Sequence, residues 1–169
     1  AKMGVIMIHH WAHITKKECD TWMENEGEWH LEWKKRYIDT IDNVVVEKFI
    51  KKENVWHFAD IYLEKSGIVE LQHSSISIED INDRERFYEK MKWLFDCREV
   101  FEKEKLKIYN KEIYYTFVWK HAKKTIGYAN KPIFFDLGKN QVLQVVKKTV
   151  NKKMFGWGYI INYKCFLNQ

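Results

Sequence analysis

His57–Gln72 reads HFADIYLEKSGIVELQ, and its reading decides the fold. Two short apolar-rich runs joined by a tight turn predict a β-hairpin. Asp60 lies on the first strand, Glu70 on the second, and Gln72 follows two residues later. Alternate side chains of a strand face the same way, so Ile68, Glu70 and Gln72 share a face of their strand, as do Phe58, Asp60 and Tyr62 on the partner strand. Pairing of the strands brings two carboxylates and an amide toward one point. Clustered carboxylates suit a hard divalent cation.

The chain around this hairpin is long enough to bury a core. Its 169 residues are 46% hydrophobic and 16% aromatic, which excludes a disordered chain and predicts a single domain over 1–169. There is no apolar run of about 18 residues, so no transmembrane helix is expected. The opening AKMGVIMIHHW shows no signal-peptide pattern. Three scattered cysteines, Cys19, Cys97 and Cys165, do not make a disulfide framework and point to a reducing cytoplasmic setting. Lys and Arg number 29 against 24 Asp and Glu, and this mild basic balance is compatible with a polyanionic partner without establishing one.

Outward from the hairpin, the upstream pattern is helical. In EGEWHLEWKKRYIDTI, from Glu26, Trp29, Trp33 and Tyr37 recur every four residues, and Leu31, Ile38 and Ile41 widen the expected buried stripe. His30 and Lys34 stand one turn apart on a flank. Val44–Ile50 is β-branched and predicts a strand. Downstream, Ser77 followed by Asp80 resembles a capping box, and it opens a helix with Ile81, Arg84 and Tyr88 on one stripe. WLFD (93–96) predicts a further strand. The core is therefore helix, three strands, helix, strand, over about 26–97. A β-rich extension over about 98–169 has strands at 114–119, 133–137 and 142–146 and a last one after Gly156-Trp157-Gly158. At the N-terminus, a short strand over 4–11 is expected. His9, His10, His13 and Cys19 form a weaker zinc alternative without the tight paired spacing of a structural site.

This α/β (α+β) order, with aspartate on the second strand and Glu-x-Gln on the third, resembles the restriction-endonuclease-like PD-(D/E)xK fold: an αβββαβ core with a central mixed sheet flanked by helices, here with extra C-terminal strands. EWHLEWK (28–34), HFADI (57–61), VELQHS (69–74) and Arg84 to Tyr88 are similar in order to the nuclease domain of the CoiA-like competence proteins. The resemblance implies a metal-dependent endo- or exonuclease acting on nucleic acid, DNA rather than RNA; the lack of a long apolar run adds the expectation of no membrane partner. The resemblance makes Asp60, Glu70 and the Leu71 carbonyl the ligands of Mg2+ or Mn2+. Gln72 stands where relatives carry lysine, and an amide can orient a water or phosphate but supplies no charge. Lys34, with His30 beside it, would provide the missing positive charge. A helix glutamate, Glu28 or Glu32 with Glu28 preferred from its EWH pattern, would join the site. Ser74, Arg84 and Tyr88 would bind phosphate or support the ligands.

Plainer readings stand beside these. Asp60 and Glu70 could be solvated on an exposed sheet face, His30 and Lys34 could lie on a helix surface, and Arg84 could pair with a nearby carboxylate. The tryptophans read as core; Lys147-Lys148 and Lys152-Lys153 could line a nucleic-acid groove, with solvated side chains the plainer reading. The rival function is a catalytically inactive nucleic-acid-binding or assembly module on the same fold.

Overall fold

The structure, a computed structural model, describes Asp20, Trp22 and residues 26–169. The expected strand over 4–11 and the histidine–Cys19 zinc set lie outside the described residues. In chain order the elements are α1 (Glu28–Thr40), β1 (Val44–Lys52), β2 (Val55–Leu63), β3 (Gly67–Gln72), α2 (Ile78–Tyr88), β4 (Met91–Asp96), α3 (Arg98–Glu102), β5 (Leu106–Asn110) and β6 (Tyr115–Lys120). After a 3-10 turn at Lys124–Tyr128 come β7 (Ile133–Gly138), β8 (Gln141–Val150), β9 (Lys153–Asn162) and α4 (Tyr163–Leu167). The described strands form one nine-stranded sheet in the order β1-β2-β3-β4-β7-β8-β9-β6-β5. Among the described residues, only β3–β4 and β4–β7 are parallel; the other pairs are antiparallel. The C-terminal strands thus extend the sheet of the first half through β7.

The parallel centre explains the composition of its strands. GIVELQ, MKWLFD and IFFDLG are buried almost throughout, because both faces are covered. On one side Trp93, Phe95 and Phe135 pack with Ile81 and Tyr88 of α2 and with Phe117 and Trp119. On the other, Leu71, Leu94 and Phe134 pack with Trp29, Trp33 and Tyr37 of α1 and Phe166 of α4. No helix among the described residues is long and apolar enough to cross a membrane. Ser77 caps α2 as expected, its hydroxyl oxygen accepting from Asp80 N at 2.9 Å.

Two expectations are corrected. Leu31 and Ile38 are 49% and 41% exposed, not part of the buried stripe. The helix turns its His30 and Lys34 flank inward instead, next to Trp29, Trp33 and Tyr37. Gly156-Trp157-Gly158 lies inside β9 and does not precede it. A Cβ at Gly156 would sit 2.3 Å from Lys147 O, and one at Gly158 would sit 2.0 Å from Gln144 O. These glycines let β9 press against β8 where the register shifts between Val145 and Lys147.

Candidate functional site

The β2–β3 hairpin opens where the two acids stand. Its backbone ladder runs Leu63↔Gly67, Tyr62↔Ile68, Ile61↔Val69 and then stops. Past that point the strands diverge, and their main-chain amides need other acceptors. The carboxylates supply them. Asp60 Oδ2 accepts Leu71 N at 2.8 Å, and Glu70 Oε1 accepts Asp60 N in a long contact of 3.4 Å. Asp60 and Glu70 therefore sit on the two prongs of a fork, each reaching across to the other strand. The fully solvated sheet face is excluded for Glu70, which is only 2% exposed.

Both neighbouring helices contribute to the fork. From α2, the buried Arg84 donates Nη1 to Glu70 Oε2 at 2.8 Å, and its Nη2 donates to the Trp22 carbonyl at 2.9 Å. From α1, the buried Lys34 lies 3.7 Å from Asp60 Oδ1 and is also held by Glu26 and Glu47. His30 Nε2 donates to the Leu71 carbonyl at 3.1 Å. Helix α1 is itself fixed from below: Asp136 Oδ2 on β7 accepts the indole N–H of Trp29 at 2.7 Å and of Trp33 at 2.9 Å.

The electrostatics follow from this packing. Burial, followed by the charge of Asp60, pushes Glu70 up to about 8 against the opposing pull of Arg84. Burial would lower the Lys34 amine, but Asp60, Glu47 and Glu26 outweigh it and hold it above the ordinary lysine value. Burial also raises Glu47, despite its contact with Lys34. The Tyr88 phenol is raised by burial and then by Glu70, and its hydroxyl has no hydrogen-bond partner among the described residues.

The remaining expected residues divide. Gln72 is buried at the end of β3 and donates from Nε2 toward Ser74 O and Oγ, at 3.4 and 3.5 Å. Beside them a cavity of about 370 Å³ opens, lined by Gln72, Ser74, Asp96, Trp119 and Lys123 among others. Glu28 is exposed on the first turn of α1 and makes no hydrogen bond or ion pair to Asp60 or Glu70. Glu32 is turned to Arg36 and Arg98. The acids near Asp60 come instead from Glu26, just before α1, and Glu47 on β1. Arg84 faces Glu70 in the interior and not a solvent-borne phosphate.

Sequence reasoning missed Glu47, Asp20 and Asp136. Asp20 Oδ1 accepts His57 Nδ1 at 2.7 Å and Oδ2 accepts Phe58 N at 2.7 Å, which ties the segment before α1 to β2. Glu47 carried a signal, an acid within a β-branched strand, and the structure holds it at a left-handed φ of 50°. Asp136 carried a stronger one: a carboxylate inside the apolar run IFFDLG has to find donors.

Asp60, Glu70 and the Leu71 carbonyl make an all-oxygen donor set of the kind Mg2+ and Mn2+ take. The raised Glu70 marks a carboxylate pair whose negative charge Arg84 does not fully offset. The residues present fit a hard cation, with at most two carboxylates. Among the described residues no three His, Cys, Asp or Glu side chains converge as a ready-made cage. No family model, curated protein or solved structure matches the chain.

Proposed function

We propose that the β2–β3 fork is the active centre of a metal-dependent nuclease acting on DNA, and that α1 through β4 form a restriction-endonuclease-like core akin to that of the CoiA-like competence proteins. The observation that carries this reading is the fork itself. Two carboxylates bridge diverging strands beside a main-chain carbonyl, and each of two helices brings a cation to one of them. Asp60, Glu70 and the Leu71 carbonyl would hold Mg2+ or Mn2+, which when bound supplies an activated water and offsets charge on the scissile phosphate.

The chain's own groups then have separable tasks. Arg84 holds the Glu70 carboxylate in place through Oε2. Asp60 keeps the β3 backbone in register through Leu71 N. His30 orients the Leu71 carbonyl. Lys34 supplies positive charge at Asp60. Gln72, where relatives carry lysine, orients the Ser74 segment at the mouth of the adjoining cavity. The test is cleavage of plasmid and single-stranded DNA with Mg2+ or Mn2+. Asp60→Asn keeps an acceptor for Leu71 N–H, and it and Glu70→Gln are each expected to lose roughly 100-fold or more in turnover. Full activity in both variants removes the fork from the chemistry.

One observation favours the second reading, a non-catalytic nucleic-acid-binding or assembly module. Lys34 is already engaged by Glu26 and Glu47, and Gln72 is uncharged, so neither stands ready for a phosphate. That reading expects salt-dependent DNA binding with no turnover in either metal.

A further inference from the structure

The far half of the sheet carries a second surface that the fork does not use. In β9 alternate residues point to opposite faces. Met154 is buried in the core, whereas Phe155 and Tyr159 are 47% and 41% exposed, with Trp157 half-buried between them. The register carries this outer row onto the neighbouring strands. Val118 and Thr116 of β6 pair with Phe155 and Trp157, and Lys107 and Tyr109 of β5 pair with Val118 and Thr116. On the other side, Lys147 and Thr149 of β8 pair with Trp157 and Phe155. Tyr114 continues the ring row, its centroid 5.6 Å from that of Trp157, which lies 5.9 Å from Tyr159.

Charge on these strands has one sign. β5, β6, β8 and β9 contain no Asp or Glu. Lys120, Lys147 and Lys153 are exposed and make no ion pair among the described residues. Lys107 is answered by Glu104 at 3.3 Å from the preceding turn. Exposed rings on an open sheet are costly in water unless something covers them. A partner must offer flat faces to the rings and negative charge to the lysines.

We propose that this face of β8, β9, β6 and β5 is a platform for single-stranded nucleic acid. Unpaired bases stack on Tyr109, Phe155 and Tyr159, while Lys120, Lys147 and Lys153 meet the phosphates. A duplex buries its base faces and offers the rings nothing to stack on. The inference does not depend on the nuclease reading, since binding is measured in EDTA, where metal-dependent hydrolysis is switched off.

The experiment is fluorescence anisotropy of a labelled oligothymidylate and of a duplex of equal length against the whole chain in EDTA. The single strand is expected to bind more tightly. Phe155→Ala and Tyr159→Ala are each expected to weaken single-strand binding about tenfold. The double variant Lys147→Gln/Lys153→Gln is expected to reduce the slope of log affinity on log salt by about 1.4. These lysines are exposed, so that variant keeps the test alive if an aromatic substitution disturbs the fold. Binding unchanged by both sets of variants, equal affinity for duplex, or no oligonucleotide binding overturns the proposal. So does a chain that self-associates through this face, or that prefers anionic vesicles to the oligonucleotide.

Discussion

Around the β2–β3 fork, charges are buried and answered at short range: Arg84 by Glu70, and Lys34 by Glu26, Glu47 and Asp60. On the outer face of β5, β6, β8 and β9, Lys120, Lys147 and Lys153 stand in water with no acid on those strands. The same sheet therefore handles charge in two ways. A buried charge is costly unless paired, so its removal registers in stability and in the geometry of its partners. A solvated charge contributes little to the fold and is free to act on a ligand. Substitutions in the two regions should separate into those that move unfolding and those that move binding.

The sharpest challenge to that division comes from Asp136, which lies on β7 between the regions. Asp136→Ala would strand two indole N–H groups and the amide of Gly138. It is expected to cost about 3–5 kcal/mol in urea unfolding, with Asp136→Asn recovering part of the loss. An unchanged midpoint would show that α1 is anchored by packing alone.

Next in size is the pH dependence of Glu70. Its folded value is raised to about 8 from an ordinary carboxylate value of 4.5. The folded state thus holds this proton more tightly than the unfolded chain. The Glu70 contribution to stability is full below about pH 4.5 and is lost as pH climbs through about 8. Unfolding free energy measured without divalent metal should fall across that window, and Glu70→Gln should flatten the fall. A slope that Glu70→Gln leaves unaltered would mean that Arg84 fully offsets the burial and that Glu70 does not set the pH dependence.

Lys92 on β4 is an exception within the buried region. Its amine finds no hydrogen-bond partner among the described residues, lies 4.8 Å from the ring centre of Phe166, and is lowered by burial from 10.5 to about 8. Lys92→Met is expected to stabilise the protein by roughly 2–3 kcal/mol at pH 7, and the gain should shrink above pH 8 as the native amine sheds its proton. Destabilisation would break the rule that unanswered buried charge is a cost. The smallest effect belongs to the open face: Lys147→Gln should leave the unfolding free energy within about 0.5 kcal/mol, whatever it does to oligonucleotide binding.

Local pattern was enough to read the helix–strand–strand–strand–helix–strand order, the Ser77 cap and the hairpin with its two acids, because each depends on residues a few positions apart. What escaped depended on distant neighbours. Helix periodicity puts Leu31 and Ile38 in the buried stripe of α1, and the sheet buries His30 and Lys34 in their place. The carboxylates around Lys34 come from Glu26 and Glu47, on separate elements, so no spacing rule joins them. The two glycines of β9 read as a lead-in to the last strand because their cause, the backbone of β8, lies across a strand pair.

The Asp136 contacts also have a consequence in time. They join residues 107 and 103 positions apart, so the indoles of α1 have no acceptor until β7 has been synthesised and has found β4. A chain made from its N-terminus can form the β2–β3 hairpin early, from local contacts. The helix bearing His30 and Lys34 gains its buried anchor only once β7 is in place. A copy that stops short of β7 has Arg84 beside Glu70 but lacks the acceptor that fixes α1 over the fork.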